Sequence, residues 1–188
     1  ASNAGNYKLH LAIHSNAAPE ELAGMLQGTD VYYYPGSAQS YYAADIIARN
    51  YRAIYPDPDK VKLEPGGNLA ELRRTKAPAV LIETAYHDNE ADAQWIKDNI
   101  DAIARNLVFS LTQYFGLPFL EPQEPRRAIV NTYSTALNIR EMPSVMATLV
   151  GQAPRGAEVT VYGQWEEWAV IGYKNLLGFA QKRYLTIL

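Results

Sequence analysis

The sequence contains no cysteine, no long hydrophobic run and only a small excess of negative charge, and each absence excludes a class of protein. Without cysteine, disulfides, thiolate metal sites and cysteine nucleophiles are excluded. No apolar run approaches the ~20 residues that cross a bilayer. The net charge of -3 gives no general attraction to nucleic acid. Because 48% of the 188 residues are apolar, the chain can instead bury a globular core.

A proline-rich segment divides the chain into two parts. Residues 117–126 contain three prolines, which neither continue a helix nor fit a central strand, so a short, stiff linker is predicted there. Residues 1–126 carry 11 basic and 16 acidic groups, whereas residues 127–188 carry 6 basic and 4 acidic groups. The slight positive excess of the second part favours an anionic polymer such as cell wall, although it amounts to only two charges.

Strands and helices alternate before the linker, which predicts an α/β layered domain. Strands are expected at 8–14, 31–34 and 79–83, and helices at 40–55 and 89–115, the second broken near 98–99. Asn89 stands at the expected N-cap, and Gly116 stands where a C-terminal cap belongs. After the linker, turn residues separate short apolar segments, which predicts a small closed barrel. Its expected strands are 129–132, 137–140, 147–152, 158–162, 168–173 and 178–180.

The histidines are candidates for metal binding. His14 ends the first predicted strand, at the edge of an α/β sheet where ligand crevices form, and imidazole is a common zinc ligand. A histidine held by hydrogen bonds at a strand end is the alternative. His10 shares the strand face, but roughly 13 Å of backbone separates it from His14, so a shared zinc is not expected. His87 follows the strand at 79–83 and either lines the same crevice or is a loop residue without a chemical role.

Glu83 is the less usual residue, because it directly follows the apolar run Ala-Val-Leu-Ile. A carboxylate is costly to bury unpaired, so at the end of this strand it should face the crevice. Near a metal it could deprotonate a bound water. A structural ion pair with Arg73 or Arg74 is the alternative, and position alone does not decide between the two.

Two segments together resemble one family, the zinc-dependent N-acetylmuramoyl-L-alanine amidases. The segment at 11–17, Leu-Ala-Ile-His-Ser-Asn-Ala, is similar to a Ser-Ile-His-Ala-Asn motif of these enzymes. The segment at 77–89, Ala-Pro-Ala-Val-Leu-Ile-Glu-Thr-Ala-Tyr-His-Asp-Asn, is similar to their Pro-Ala-Val-Leu-Val-Glu motif and its continuation. The resemblance covers about residues 1–116 and implies a three-layer α/β domain around a mixed sheet.

The resemblance also implies roles for individual residues. His14 would be a zinc ligand, Glu83 the catalytic base, and Asn16 a substrate-binding residue. The reaction would be hydrolysis of the amide between N-acetylmuramic acid and the L-alanine of the stem peptide. In it, zinc would polarise the carbonyl and lower the pKa of the attacking water towards ~7. Glu83 would take the proton and pass it to the leaving amine.

The sequence departs from the family in one respect. The resemblance implies a second histidine, in a Gly-His-Gly-like segment, and a glutamate ligand, both upstream of His14, and neither is present in these positions. We therefore expect an N-terminally truncated catalytic domain that binds zinc weakly, is inactive alone and leaves a sheet edge exposed or paired with another chain. Ser2-Asn3-Ala4 is equally compatible with native sequence and with a cloning remnant.

The second part resembles a bacterial SH3 domain. The segment at 136–144, Ala-Leu-Asn-Ile-Arg-Glu-Met-Pro-Ser, is similar to the family's opening Leu-Asn-Val-Arg motif with its Pro-Ser, and the segment at 178–184 is similar to its end. Such domains commonly attach wall hydrolases to peptidoglycan. Tyr162 and Trp165 are therefore assigned to ligand binding, with Tyr133 and Trp168 as further members of an apolar platform. Trp168 and Tyr184 are alternatively core residues.

The sequence thus predicts an incomplete amidase-like domain at 1–116, a linker at 117–126 and a bacterial SH3-type domain at 127–188. Peptidoglycan is the expected partner, with no nucleic acid and no membrane span, and the expected location is extracellular or in the cell wall. Two alternatives stay open: a non-catalytic wall-binding protein with a remnant amidase domain, and a related zinc peptidase. The oligomeric state is not predicted.

Overall fold

The computed structural model describes residues 2–188, and the chain divides into two compact units, Ala1–Gly116 and Leu117–Leu188. The elements of the first unit are β1 (His10–Asn16), β2 (Thr29–Tyr33), α1 (Ala38–Tyr51), β3 (Val61–Pro65), α2 (Ala70–Arg73), β4 (Ala79–Tyr86), α3 (Glu90–Asp98) and α4 (Ile100–Phe115). Those of the second are β5 (Arg126–Val130), β6 (Leu137–Arg140), β7 (Leu149–Ala153), β8 (Glu158–Trp165), β9 (Trp168–Tyr173), β10 (Leu176–Gln181) and β11 (Leu185–Ile187). The predicted order, α/β followed by all-β, is confirmed.

The four strands of the first unit form a mixed sheet in the order β1-β4-β2-β3. The β1–β4 and β2–β3 pairs are parallel, whereas β2 and β4 are antiparallel. The apolar run at the start of β4 is buried because this strand lies inside the sheet and is covered on both faces. Strand β1 is an edge strand, and Ile13 on it remains 58% exposed.

Alternate residues of β4 face different layers. Val80 and Ile82 pack with Ala43 and Ile47 of α1 and with apolar residues of α4, forming the larger core cluster. Ala79 and Leu81 point the other way and pack with Leu72 of α2. The sheet therefore has helices on both faces, which confirms the predicted three-layer α/β architecture.

The helix ends follow the capping signals in the sequence. The Ser37 hydroxyl accepts a hydrogen bond from the Ser40 amide at the start of α1. The Asn89 side chain accepts from the amides of Ala91 and Asp92 and so caps α3. Gly116, at φ 65°, adopts the left-handed conformation that ends α4. In the described part of the chain, every helix is too short or too polar to cross a membrane.

Two elements of the first unit were not predicted. Strand β3 is only five residues long and includes a proline, and it pairs with a single neighbour at the sheet edge. Helix α2 has four residues, too few to show helical periodicity. The predicted helix at 40–55 was also too long, because α1 ends at Tyr51 and Ile54 packs against the core from the following turn.

The second unit contains seven antiparallel strands in the order β11-β5-β8-β9-β10-β6-β7. Its core contains Ile139, Val161 and Ile171, each from a different strand. The predicted strands at 137–140 and 168–173 have the observed limits, while β8 and β10 extend beyond the prediction. Strand β11 was missed because only three residues form it.

Candidate active site and wall-binding surface

His14, Glu83 and Asp30 form a row across the centre of the first unit's sheet. In the parallel pair β1–β4, His14 is the register partner of Glu83. In the antiparallel pair β2–β4, Asp30 is the register partner of the same Glu83. Residues opposite one another on adjacent strands project from the same face, so the three side chains share the face that α2 covers.

Helix α2 brings a second carboxylate to this row. Glu71 places an Oε2 atom 3.4 Å from His14 Nε2 and 3.9 Å from His10 Nε2. His10 and His14 lie on the same face of β1, so one carboxylate reaches both. The His14 and Glu71 side chains are 44% and 47% exposed, so this contact lies at the solvent-facing end of the crevice. No sequence pattern identified Glu71, because α2 itself was not predicted.

Glu83 is half-buried and keeps one free carboxylate oxygen. Its Oε2 atom is buried and has no hydrogen-bond partner among the described residues, and Glu83 forms no ion pair with Arg73 or Arg74 there. Burial raises the pKa of the Glu83 carboxyl above its ordinary value, against a lowering by the neighbouring His14. A carboxylate with a raised pKa and a free oxygen is suited to accept a proton from a reactant.

Asp30, at the β2 end of the row, accepts hydrogen bonds from neighbouring side chains. It is 8% exposed, and its Oδ2 atom accepts hydrogen bonds from Asn16 Nδ2 at 3.1 Å and from the Tyr86 hydroxyl at 3.4 Å. Burial raises the pKa of the Asp30 carboxyl, and the charge of Lys62 lowers it. Asn16 Oδ1 also accepts from the Ala17 amide at 2.9 Å. The structure therefore engages both ends of the Asn16 amide within the protein.

His87 lies on the rim of the crevice. Its amide donates to the Asn16 carbonyl at 2.8 Å, and its Nδ1 atom lies 3.0 Å from the Ser15 hydroxyl. The next residue, Asp88, accepts from the amides of Gly24 at 3.0 Å and of Ala18 at 3.2 Å. The Gly24 amide is the main cause of the lowered pKa of Asp88. Hydrogen bonds therefore connect the segment after β4 to the loop that follows β1.

Two donors of the crevice have a separation that would suit the ligands of one metal ion. The 3.4 Å between His14 Nε2 and Glu71 Oε2 is close to the roughly 3.3 Å that separates two ligands of one tetrahedral zinc. His10 Nε2 is buried without a hydrogen-bond partner, but its Nδ1 atom lies 2.9 Å from the Ser2 hydroxyl. Over residues 2–188, no group of three or more His, Cys, Asp and Glu side chains could hold a metal ion. These residues do not complete a zinc site, which normally has about three protein ligands.

The aromatic residues assigned to the wall-binding surface lie in different places. Tyr133, which is 93% exposed, and Trp168, which is 9% exposed, line one groove of about 330 Å³ together with Tyr184. Tyr162 lines a different depression beside Gly172. Trp165, at 36% exposure, pairs in register with Trp168 in the β8–β9 hairpin. The four aromatic residues therefore do not line a common groove.

Comparison with known proteins adds family and fold. The family model described as N-acetylmuramoyl-L-alanine amidase matches residues 1–113, and the one described as bacterial SH3 domain matches residues 135–186. Comparison with curated proteins gives no match.

Two solved structures illustrate the similarity. The catalytic domain of the CD27L endolysin targeting Clostridia difficile is 26% identical to this chain, with a TM-score of 0.52. The CwlD amidase from Clostridioides difficile, solved with the GerS lipoprotein, is 19% identical, with a TM-score of 0.54, and shows the fold alone. These matches cover 60% and 61% of this chain but 58% and 57% of the other two. The chain therefore spans less than two thirds of either relative.

Proposed function

The chain belongs to the N-acetylmuramoyl-L-alanine amidase family, and we propose that it is part of a peptidoglycan hydrolase that cleaves the amide between N-acetylmuramic acid and the L-alanine of the stem peptide. In this proposal residues 1–116 form an incomplete catalytic domain, 117–126 a linker and 127–188 a unit that attaches the enzyme to the wall. The substrate is a cell-wall polymer, so we place the protein outside the cell or in its wall.

The observation that carries the catalytic half of the proposal is the free, half-buried Glu83 oxygen beside His14. Glu83 acts as the general base: it accepts a proton from the water that attacks the amide carbonyl and delivers it to the departing nitrogen. The C–N bond breaks, leaving a carboxylate on muramic acid and an amine on L-alanine. Burial is the main cause of the raised pKa of Glu83, and the charge of Asp30 on the neighbouring strand raises this pKa further, which favours proton uptake.

We further propose that His14 is one ligand of a zinc ion in the complete domain. The 188 residues alone then bind zinc weakly and do not turn over substrate, because the described residues lack a complete donor set. Zinc, when bound, supplies Lewis-acid activation of the carbonyl and of water. Asn16 retains the role of a substrate-binding residue only if substrate replaces its bond to Asp30.

The test uses the protein purified with whatever coding sequence lies upstream of Ala1, incubated with purified sacculi. Mass spectrometry of the products should show intact stem peptides with a free L-alanine amine and glycan strands without peptide. Cleavage inside the stem peptide would establish a peptidase in place of the amidase. Binding to sacculi without any release, by protein loaded with zinc, would support the second candidate, a non-catalytic wall-binding protein.

A further inference from the structure

The groove of about 330 Å³ in the second unit is formed by segments that are distant in sequence. The connection between β5 and β6, at 131–136, forms one wall, and the end of β10 with the turn that follows it, at 181–184, forms the other. Trp168, nearly buried, lies at its base, and the exposed Tyr133 stands at its rim. We name this feature the 133/183 groove, after Tyr133 and Arg183, which both line it.

Hydrogen bonds hold the walls of the 133/183 groove in place. Arg155 Nη1 donates to the Tyr133 carbonyl at 3.0 Å, and the Thr132 hydroxyl donates to the Thr135 carbonyl. Arg140 Nη1 donates to the Ala147 carbonyl at 2.7 Å. Because these bonds connect protein groups, the shape of the groove does not depend on a ligand, and binding loses little conformational entropy.

The charged residues that line the groove are all basic. Its lining residues include Arg140 and Arg183 and no acidic residue, and the Arg140 guanidinium already donates to the Ala147 carbonyl. Arg183 is exposed, and its guanidinium carbon lies 4.8 Å from the centre of the Tyr184 ring. Stacking on a ring uses the face of the guanidinium, whereas its N–H groups lie in the plane and can reach an anion. A carboxylate matches that planar fork in a bidentate manner.

We propose that the 133/183 groove binds a short peptide that ends in a free carboxylate, with Arg183 as the carboxylate partner and with Tyr133 and Trp168 contacting an apolar side chain. Ser134, Asn138 and Gln181 add hydroxyl and amide groups that suit a peptide backbone. The volume lies at the lower end of the ~300–1,000 Å³ range of small-ligand pockets, which fits a chain end better than a folded surface. This proposal rests on the proposed wall attachment, and the bound peptide is then the stem peptide of peptidoglycan.

The experiment titrates the full 188-residue chain with stem peptides isolated from sacculi and with the same peptides after conversion of their carboxylates to carboxamides. Binding is followed by NMR through the Trp168 indole and the Tyr133 and Arg183 amides. The free acids should bind, and the carboxamides should bind at least about tenfold more weakly. Arg183→Gln should weaken binding of the free acids by about tenfold and leave the carboxamides unaffected.

Lys182→Gln is the matched control, because it removes the same charge one residue away. Lys182 lies 3.4 Å from Glu167 and does not line the groove, so its variant should bind as the parent does. Tyr133→Ala should weaken binding without affecting folding, since its side chain is almost fully exposed. Equal losses in the two charge variants, or equal binding of acids and carboxamides, would overturn the carboxylate assignment.

Two competitors and a binding assay on whole sacculi separate the remaining outcomes. Displacement of the peptide by glycan strands with free muramic acid carboxylates, or by poly(glycerol phosphate), at lower concentration than free peptide would overturn the peptide assignment. If sacculi retain both the parent and Arg183→Gln while stem peptides do not bind, wall attachment stands and the groove proposal fails. If sacculi retain neither, wall attachment itself fails.

Discussion

Glu83 lies directly beside His14 across the parallel strands β4 and β1, with one carboxylate oxygen buried and unpartnered. Asp30 flanks Glu83 on its other side, so the central strand carries a carboxylate between an imidazole and a second carboxylate. The sheet register alone creates this arrangement, and no loop has to move to assemble it.

Replacing Glu83 with glutamine should remove most of the hydrolytic activity of the protein that carries its upstream sequence. Loss of a general base typically lowers the rate by about 10²- to 10⁴-fold. The amide is close in size to the carboxylate, and a neutral group suits this half-buried position, so the melting temperature should not fall. The measurements are the rate of stem-peptide release from sacculi and a thermal melt.

Glu21→Gln serves as the control for the charge change. Glu21 is exposed in a single-turn helix between β1 and β2 and does not belong to the row, so its variant should keep the parent's rate. Parental activity in Glu83→Gln would refute the assignment of Glu83 as the base, whatever the metal content of the preparation.

Asp30 should make the stability of the first unit depend on pH. Burial raises the pKa of its carboxyl above the ordinary 3.8, so the folded chain holds the proton after the unfolded chain has released it. The stabilisation from protonated Asp30 is therefore complete below the unfolded pKa and is lost as pH rises through the folded pKa. Asp30→Asn removes this loss, so its advantage in unfolding free energy over the parent should grow as pH rises above the ordinary pKa of 3.8 and level off above the raised pKa of the folded chain.

Urea unfolding at several pH values measures this difference. The unfolding curve from the fluorescence of Trp95, the tryptophan of the first unit, is compared with the curve from circular dichroism. Asp101→Asn, an exposed carboxylate at the start of α4, gives the matched charge change. A difference between Asp30→Asn and the parent that stays flat with pH would contradict the prediction.

Zinc should stabilise the 188-residue chain only slightly. A ligand at 100 times its Kd stabilises a fold by about 2.7 kcal/mol, and we expect less than about 1 kcal/mol at zinc concentrations that load a complete amidase. His14→Ala and Glu71→Gln should reduce even this effect, because the two side chains supply the closest donor pair of the crevice. Calorimetry that finds tight binding of one zinc per chain would show that the described residues suffice.

The sequence located the central strands because they carry strong local signals. Continuous apolar runs mark β4 before Glu83 and the start of β9, and the glycine at position 116 marks the end of α4. Strand β3 and helix α2 have no such signal, since each is short and depends on tertiary contacts with β2 and β4. Short elements at the edge of a layer are therefore the part of this fold that sequence patterns do not predict.

The candidate site shows the same limit. His14 and Glu83 were selected by strand position and by resemblance, but Glu71 reaches His14 only because α2 covers that face. Asp30 lies inside a strand with an ordinary strand sequence, and only the antiparallel register places it opposite Glu83. Tyr133 and Arg183 are far apart in sequence, and they line one groove because β6 and β10, which lie next to their segments, pair in the sheet. Strand register and strand order decide which of these residues become neighbours, and local sequence patterns predict neither.

The last prediction concerns Asp92, which should contribute more to the stability of the first unit than its position in the first turn of α3 indicates. An acidic residue in the first turn of a helix ordinarily adds only a favourable interaction with the helix dipole, worth about 0.3–1 kcal/mol. In the structure Asp92 is 3% exposed and accepts hydrogen bonds from the Tyr55 hydroxyl at 2.5 Å and from the amides of Gly28 and Tyr86, both at 3.0 Å. Asp92→Ala leaves these three donors without their acceptor, and each unsatisfied buried donor costs about 1–3 kcal/mol, so the first unit should lose about 3 kcal/mol or more.

The exposed Glu90→Ala in the same turn removes an equal charge and should cost less than about 1 kcal/mol. Similar losses for the two variants in urea unfolding would mean that the dipole, and not the buried hydrogen bonds, accounts for the contribution of Asp92.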